Sequence, residues 1–468
     1  MKRERLTGER KVGGILDPSI ADWQAAAIMF GMTMNRDLGL LFASRALRSF
    51  AQGYMAVIIP MYIAILGYGA VELGILSAVS SIVSATLALS VGVLADRFGR
   101  KLFMILISLM MAISGLVFAT SHAFVVIALA AALGTFGGGG GAGRGGAWGP
   151  FYPAAQALLA EHSLALERTA VFGVLSFVGV MAGALGSLAA YLPQLLTSAG
   201  FTPLQGYQAL FLLTAAIGLA MALVVIPMRE TRTFPDPASV RPKPSPSAKP
   251  ADTLRWGLSP KTWKIVARFM VTNTVNGFAI GMVGPFLVYW FYRRYGATAG
   301  QLGSLLFVIN LVSALPFLAA GRLALRFGSV SIVVFTRLIG CMMLAAMALM
   351  PSFWLAAVIY ALRTVFNTLS VPVRQSYLMG VIEPTERASA AGFSNSPSQV
   401  GTALSPFLAG YLMEHVWLGL PLEGGAVLQT INALLYWFFF RDLRPPEELK
   451  LDELDAVEES PTAVGPSL

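Results

Sequence analysis

Apolar stretches of roughly 20 to 30 residues recur along nearly the whole chain, and each is long enough to cross a hydrocarbon core of about 30 Å as a helix. The pattern predicts twelve such helices, over residues 38–67, 73–95, 101–120, 123–159, 169–192, 208–228, 264–292, 301–321, 331–350, 354–380, 388–413 and 421–440. Between the sixth and seventh, the Pro-, Ser- and base-rich "RETRTFPDPASVRPKPSPSAKPADTLRWGLSPK" breaks the pattern and reads as a flexible linker. The organisation expected is an N-terminal arm at 1–37, a six-helix bundle at 38–228, a linker at 229–262, a second bundle at 263–441 and an acidic tail at 442–468. Within the arm, residues 19–35 have the character of a helix lying on the membrane face. The opening "MKRERLTGERKVGG" lacks the apolar core of a secretory signal and reads as a retained cytosolic arm.

Composition strengthens this picture. The chain is 56% hydrophobic and 12% charged, against about a quarter charged in soluble domains. A net charge of +9 would suit nucleic acid, but the positions of the basic residues argue for topology instead. With the N-terminus inside, Arg97, Arg100, Lys101, Arg168, Arg229, Arg232, Lys261 and Arg387 all face the cytosol, while the opposite loops hold essentially Arg293 and Arg294. Both termini are therefore expected in the cytosol, most naturally at the plasma membrane. The one cysteine, Cys341, lies in an apolar span, so no intramolecular disulfide forms. Nothing in the sequence supports catalytic residues, a metal or a bound cofactor.

The two halves repeat one another. A shift of 229 residues lays "ELGILSAVSSIVSA" from Glu72 on "QLGSLLFVINLVSA" from Gln301, and "GVLADRFGRK" from Gly92 on "GRLALRFGSV" from Gly321. A shift of 219 pairs Glu167 with Glu386, Arg168 with Arg387, and Arg144 with Arg363. The difference points to about ten extra residues in the first half, for which the glycine run at 137–146 is the evident place.

"GVLADRFGRKLFM", Gly92 to Met104, resembles the loop motif between the second and third helices of the major facilitator superfamily. The resemblance covers roughly residues 38–441 and implies an all-α membrane protein. Its twelve transmembrane helices form two pseudo-symmetric six-helix bundles that rock about a central cavity. It also implies a cytosolic gating network: Gly92 and Gly99 for close approach and a tight turn, Asp96, Arg97, Arg100 and Lys101 in the loop, and the short charged loops carrying Glu167, Arg168, Glu386 and Arg387. Asp96 is positioned to pair with Arg100 or to cap a helix of the other half, such as the one beginning near Ala388. Leu325 replaces Asp96 in the second copy, so one copy alone carries this latch.

An ionisable residue inside a spanning helix costs several kcal/mol and is a functional hypothesis by default. Those away from the span ends are Arg45, Arg48, Arg144, Arg363 and Arg374, with no Asp or Glu among them. Arg363, Asn367 and Arg374 fall on one helical stripe, and Arg48 and Gln52 on another. Asn273 and Asn276 are further lining candidates. Guanidinium groups without buried carboxylates favour an anionic cargo; the competing reading is structural, with Arg144 and Arg363 bonding carbonyls freed by neighbouring glycines and Pro372.

The sequence thus points to a secondary transporter of a small solute working by alternating access. An organic anion is the first candidate cargo, and a coupling proton or other ion a candidate partner beside the lipid bilayer. Two alternatives stand: a proton-coupled multidrug efflux antiporter, against which the fifth span "GVMAGALGSLAAYLP" lacks the proline of that group's Gly-Pro-x-x-Gly-Gly element, and a membrane sensor or assembly factor that moves nothing. In "GTFGGGGGAGRGGAWGP", Gly134 to Pro150, the glycines permit either close helix packing or a bend that aims Arg144 inward. A phosphate-binding loop is disfavoured because the run follows an apolar helix rather than a strand.

Overall fold

A segment crossing lipid has no water to satisfy its backbone and closes its hydrogen bonds within itself as a helix. The computed structural model describes residues 36–134, 136, 151, 168–228, 258–313, 316, 323–324, 326–382 and 386–443; Arg144, Glu167, the 137–146 run, the 19–35 segment and most of the linker and tail lie outside them. The first half is built from α1 (Arg36–Ile65), α2 (Ala70–Phe98), α3 (Arg100–Thr120), α4 (Phe124–Gly134), α5 (Arg168–Leu188) and α6 (Pro203–Val225). A 3-10 turn at Ala189–Tyr191 and a short helix at Leu192–Ser198 continue α5. The second half comprises α7 (Pro260–Val283, continued by Leu287–Tyr295), α8 (Ala299–Ser313), α9 (Ser329–Ala348), α10 (Phe353–Val381), α11 (Arg387–His415) and α12 (Leu420–Phe440). Seven segments among the described residues are long and apolar enough to cross a membrane. In α1 and α12 the apolar run is diluted by Arg45 and Arg48, and by Gln429 and Asn432, all of them buried.

Lipid offers no hydrophobic drive between helices, so association depends on close backbone packing at small residues. A Cβ on Gly53 or Gly186 would run into the backbone of the facing helix, locking α1 to α5. Gly277, Gly281 and Gly401 do the same for α7 and α11. These sites reveal a further correspondence: "FAQG" ending at Gly53 lies as "FAIG" ending at Gly281 does. Carried along the helices, that register puts Arg45 and Arg48 of α1 where α7 has Asn273 and Asn276.

The loop repeat also has a conformational signature. Gly99, before α3, has φ 103° and ψ 132°, and Gly328, before α9, has φ 80° and ψ 139°. Both backbones lie where a side chain is strained, so glycine is required at the same turn of each half.

The halves meet at the end where α2, α8 and α12 begin. One apolar core there combines α1 residues such as Ile58 and Tyr62 with Phe286, Trp290, Phe291 and Phe353 of the second half. A second cluster, Leu258 through Phe440, is made by the second half alone. Gly74 abuts Pro406 and Gly410, and Gly303 abuts Ser187. Glu414, in the last turn of α11, accepts the Val71 N–H at 2.8 Å at the start of α2, a carboxylate on the positive end of a helix dipole. Tyr191, after α5, and Ser304 of α8 share a hydroxyl hydrogen bond of 2.9 Å across the halves.

Gly281→Val is expected to lower the thermal midpoint of the purified protein by several degrees, since overpacking of this kind costs about 1–3 kcal/mol. Gly392→Ala, in a helix with open space around that position, should leave the midpoint unchanged.

Candidate functional site

The polar side chains buried in the second half converge from four helices. Arg337 enters from α9 and is 4% exposed. It donates from one terminal nitrogen to Asn276 Oδ1 of α7 at 2.8 Å, and from the same nitrogen to Asn432 Oδ1 of α12. Asn432 in turn donates to the carbonyl of Thr272. Arg363 of α10, also 4% exposed, donates to Gln429 Oε1, one turn before Asn432 on α12, at 3.1 Å. Its guanidinium lies 5.3 Å from the Tyr360 ring centroid, within cation–π range. Gly340 makes room for its stem: a Cβ there would sit 3.9 Å from Arg363 Cγ.

This arrangement sorts the expected lining residues. Asn276 and Arg363 belong to the interior network of the second bundle. Asn273 is 3% exposed and ties α7 to α11 by donating to the Ser394 carbonyl at 2.7 Å. Asn367 and Arg374, further along the α10 stripe, are half-buried. In the first half, Arg48 is 2% exposed and lies 5.3 Å from the ring centroid of Phe151. Gln52, one turn on, is half-buried, and its buried Oε1 has no hydrogen-bond partner.

Arg337 was not among the residues the sequence singled out. It lies nine residues into the twenty-residue α9, so its charge inside an apolar span was the available signal. Gln429 and Asn432, spaced i, i+3 on α12, are legible only once their arginine partners are placed.

The expected gating residues divide by location. Gly92, Asp96 and Arg97 occupy the last two turns of α2, and Arg100 and Lys101, both half-buried, open α3. Arg168 and Arg387 are the first residues of α5 and α11. Glu386 is 7% exposed, and its carboxylate accepts the Ser259 N–H at 3.0 Å and the Ser259 hydroxyl at 3.1 Å. Ser259 is the N-cap of α7, so this charge anchors the start of one helix to the start of another within the same bundle. A carboxylate that caps a helix across the two halves is found at the opposite end of the molecule, in Glu414.

Asp37, Glu72, Asp96, Glu386, Glu414, Glu423 and Asp442 are the acidic residues described, and all lie at or near helix ends. Among the described residues no cluster of His, Cys, Asp or Glu could hold a metal ion.

A family model described as Major Facilitator Superfamily matches residues 41–272 and again 269–463. The chain is 23% identical over 429 residues to the uncharacterized membrane protein YJR124C of Saccharomyces cerevisiae, covering 86% of this chain and 94% of that protein. It is 24% identical over 396 residues to the multidrug resistance protein MdtG of Proteus mirabilis, covering 82% and 90%. In fold it resembles the inward-facing, unoccupied crystal structure of a bacterial homolog to the human lysosomal transporter Spinster. The TM-score is 0.65 at 16% identity, covering 88% of this chain and 97% of that one. The twelve-helix pattern, the paired loop turns and the double family match agree: this chain is an integral, multi-pass membrane protein that belongs to the major facilitator superfamily.

Proposed function

We propose that the chain is a secondary transporter that carries a small organic anion by alternating access, binding it between the bundles at α1, α4, α7 and α10. The observation that carries the reading is the joint between the halves. Two bundles, each locked internally by glycine contacts, share one apolar core where α2, α8 and α12 begin, and the basic loop at Gly92–Lys101 lies at the other end. Rigid bodies joined at one end are suited to rocking. Basic residues gather on the loop end, which supports a cytosolic position for that end and for both termini. The joined end is then the outer one, and this conformation faces inward.

The anion is supported by charge. Arg45, Arg48 and Arg374 put positive charge inside the bundles while the described acids lie at helix ends, and in a low-dielectric interior such charge acts over long range. We assign recognition to Arg48 and Arg374, with Gln52, Asn367 and the sequence-predicted Arg144 beside them. The resemblance to MdtG supports a second reading, export of an amphiphilic drug coupled to protons, in which these arginines serve coupling rather than cargo.

In proteoliposomes, Arg48→Ala and Arg374→Ala are each expected to cut flux of labelled organic anions by about tenfold or more, the loss of one charged hydrogen bond, while the protein remains folded. Unchanged flux in both would overturn the anion reading. Flux of lipophilic cations alone would establish the second reading, and no flux of any solute the non-transporting alternative.

Gating is tested separately. Cys341 is buried, so single cysteines introduced in α10 and α11 near the loop end report accessibility cleanly. Asp96→Asn is expected to raise their labelling by thiol reagents added from the loop side; identical labelling rates would count against a latch at Asp96.

A further inference from the structure

Arg337 and Arg363 present an electrostatic arrangement that the solute site does not use. Their hydrogen-bond partners are neutral amide oxygens, Asn276 and Asn432 for one and Gln429 for the other. Each guanidinium group is a planar fork of N–H donors with no acceptor of its own. Gln429 and Asn432 lie one turn apart on α12, and Gly340, against which Arg363 packs, lies one turn beyond Arg337 on α9. The residues that hold the two arginines are therefore offset by about one helical turn along α9 and α12. Each keeps one donor in reserve: Nε of Arg337 and Nε of Arg363 are buried and have no hydrogen-bond partner. Two buried cations side by side, each with an idle N–H, call for a negative charge between them. The described acids lie at helix ends, and both arginines are 4% exposed, so neither bulk water nor a carboxylate of the described chain supplies that charge.

We propose that this pair is a resident-anion site, in which one small monovalent inorganic anion of chloride size accepts hydrogen bonds from both Nε–H groups inside the second bundle, enclosed by α7, α9, α10 and α12. The anion is a structural counter-ion that fixes the four helices relative to one another. It is not the cargo, and it also offsets the charge of Arg374, which acts on Arg337 within the same bundle.

The test compares thermal unfolding of the purified full chain in sodium chloride and in sodium gluconate at equal ionic strength. Chloride is expected to raise the midpoint saturably by about 2–4 °C, and bromide to reproduce the effect. Arg337→Lys and Arg363→Lys keep the charge but remove the Nε–H, and each is expected to weaken the apparent chloride affinity by about tenfold. Arg293→Gln, on an exposed arginine, should leave it unchanged. Wild-type crystals soaked in bromide should show an anomalous peak between the two guanidinium groups, a readout independent of how the variants fold. Equal midpoints in the two salts, a shift that survives both lysine variants, or no bromide peak would overturn the proposal. So would labelled chloride crossing proteoliposomes in step with solute, which would make the anion cargo. Transport that proceeds without any chloride effect on stability would reject this site and leave the transport reading standing.

Discussion

Helices in lipid come together only where their backbones can touch, and that constraint organises this molecule. Gly53 and Gly186 seat α1 on α5, and Gly277, Gly281 and Gly401 seat α7 on α11. Each pair forms the spine of a bundle, and the other helices pack around it. Because the contact is backbone to backbone, it fixes the axial register of the paired helices to a fraction of a turn. Every polar side chain on α1 and α7 is aimed by that register. The buried network of the second half depends on it: shift α7 by one residue and Asn276 no longer meets Arg337.

The same register makes a departure from symmetry visible. The position filled by Arg48 in the first half is filled by Asn276 in the second, where the charge arrives instead from α9. Each bundle thus keeps an arginine near its centre but delivers it from a different helix, against an aromatic ring in one case and among amides in the other. Arg337 and Arg363 are both buried in the second bundle, so like charge in a low-dielectric interior is an electrostatic load on that bundle alone. The halves are alike in backbone and unlike in field.

The fold was largely legible in the sequence because its signals are long and repeated. Spans of twenty apolar residues, a Pro-rich break and a loop motif present twice require no knowledge of side-chain contacts. The site was less legible. Helical spacing put Arg363, Asn367 and Arg374 on one stripe, but the stripe runs from the bundle interior at Arg363 to half-exposed positions at Asn367 and Arg374, and periodicity cannot say where along a helix its surroundings change. Glu386 shows the same limit. Its place in a charged loop is plain from the sequence, but its bond to Ser259, 127 residues earlier, depends on where two helix ends come to rest.

That bond has a mechanical meaning. Ser259 is where the chain arriving from the first half enters the second, and Glu386 stands at the threshold of α11, the helix that meets α2 across the molecule. A pull on the chain at Ser259 is not absorbed by α7 alone; the Glu386 carboxylate passes it directly to the start of α11, ahead of the glycine contacts further along the two helices. The covalent tether between the bundles and the helix that seals them therefore form one lever, with its load at residue 259 and its tip at Glu414.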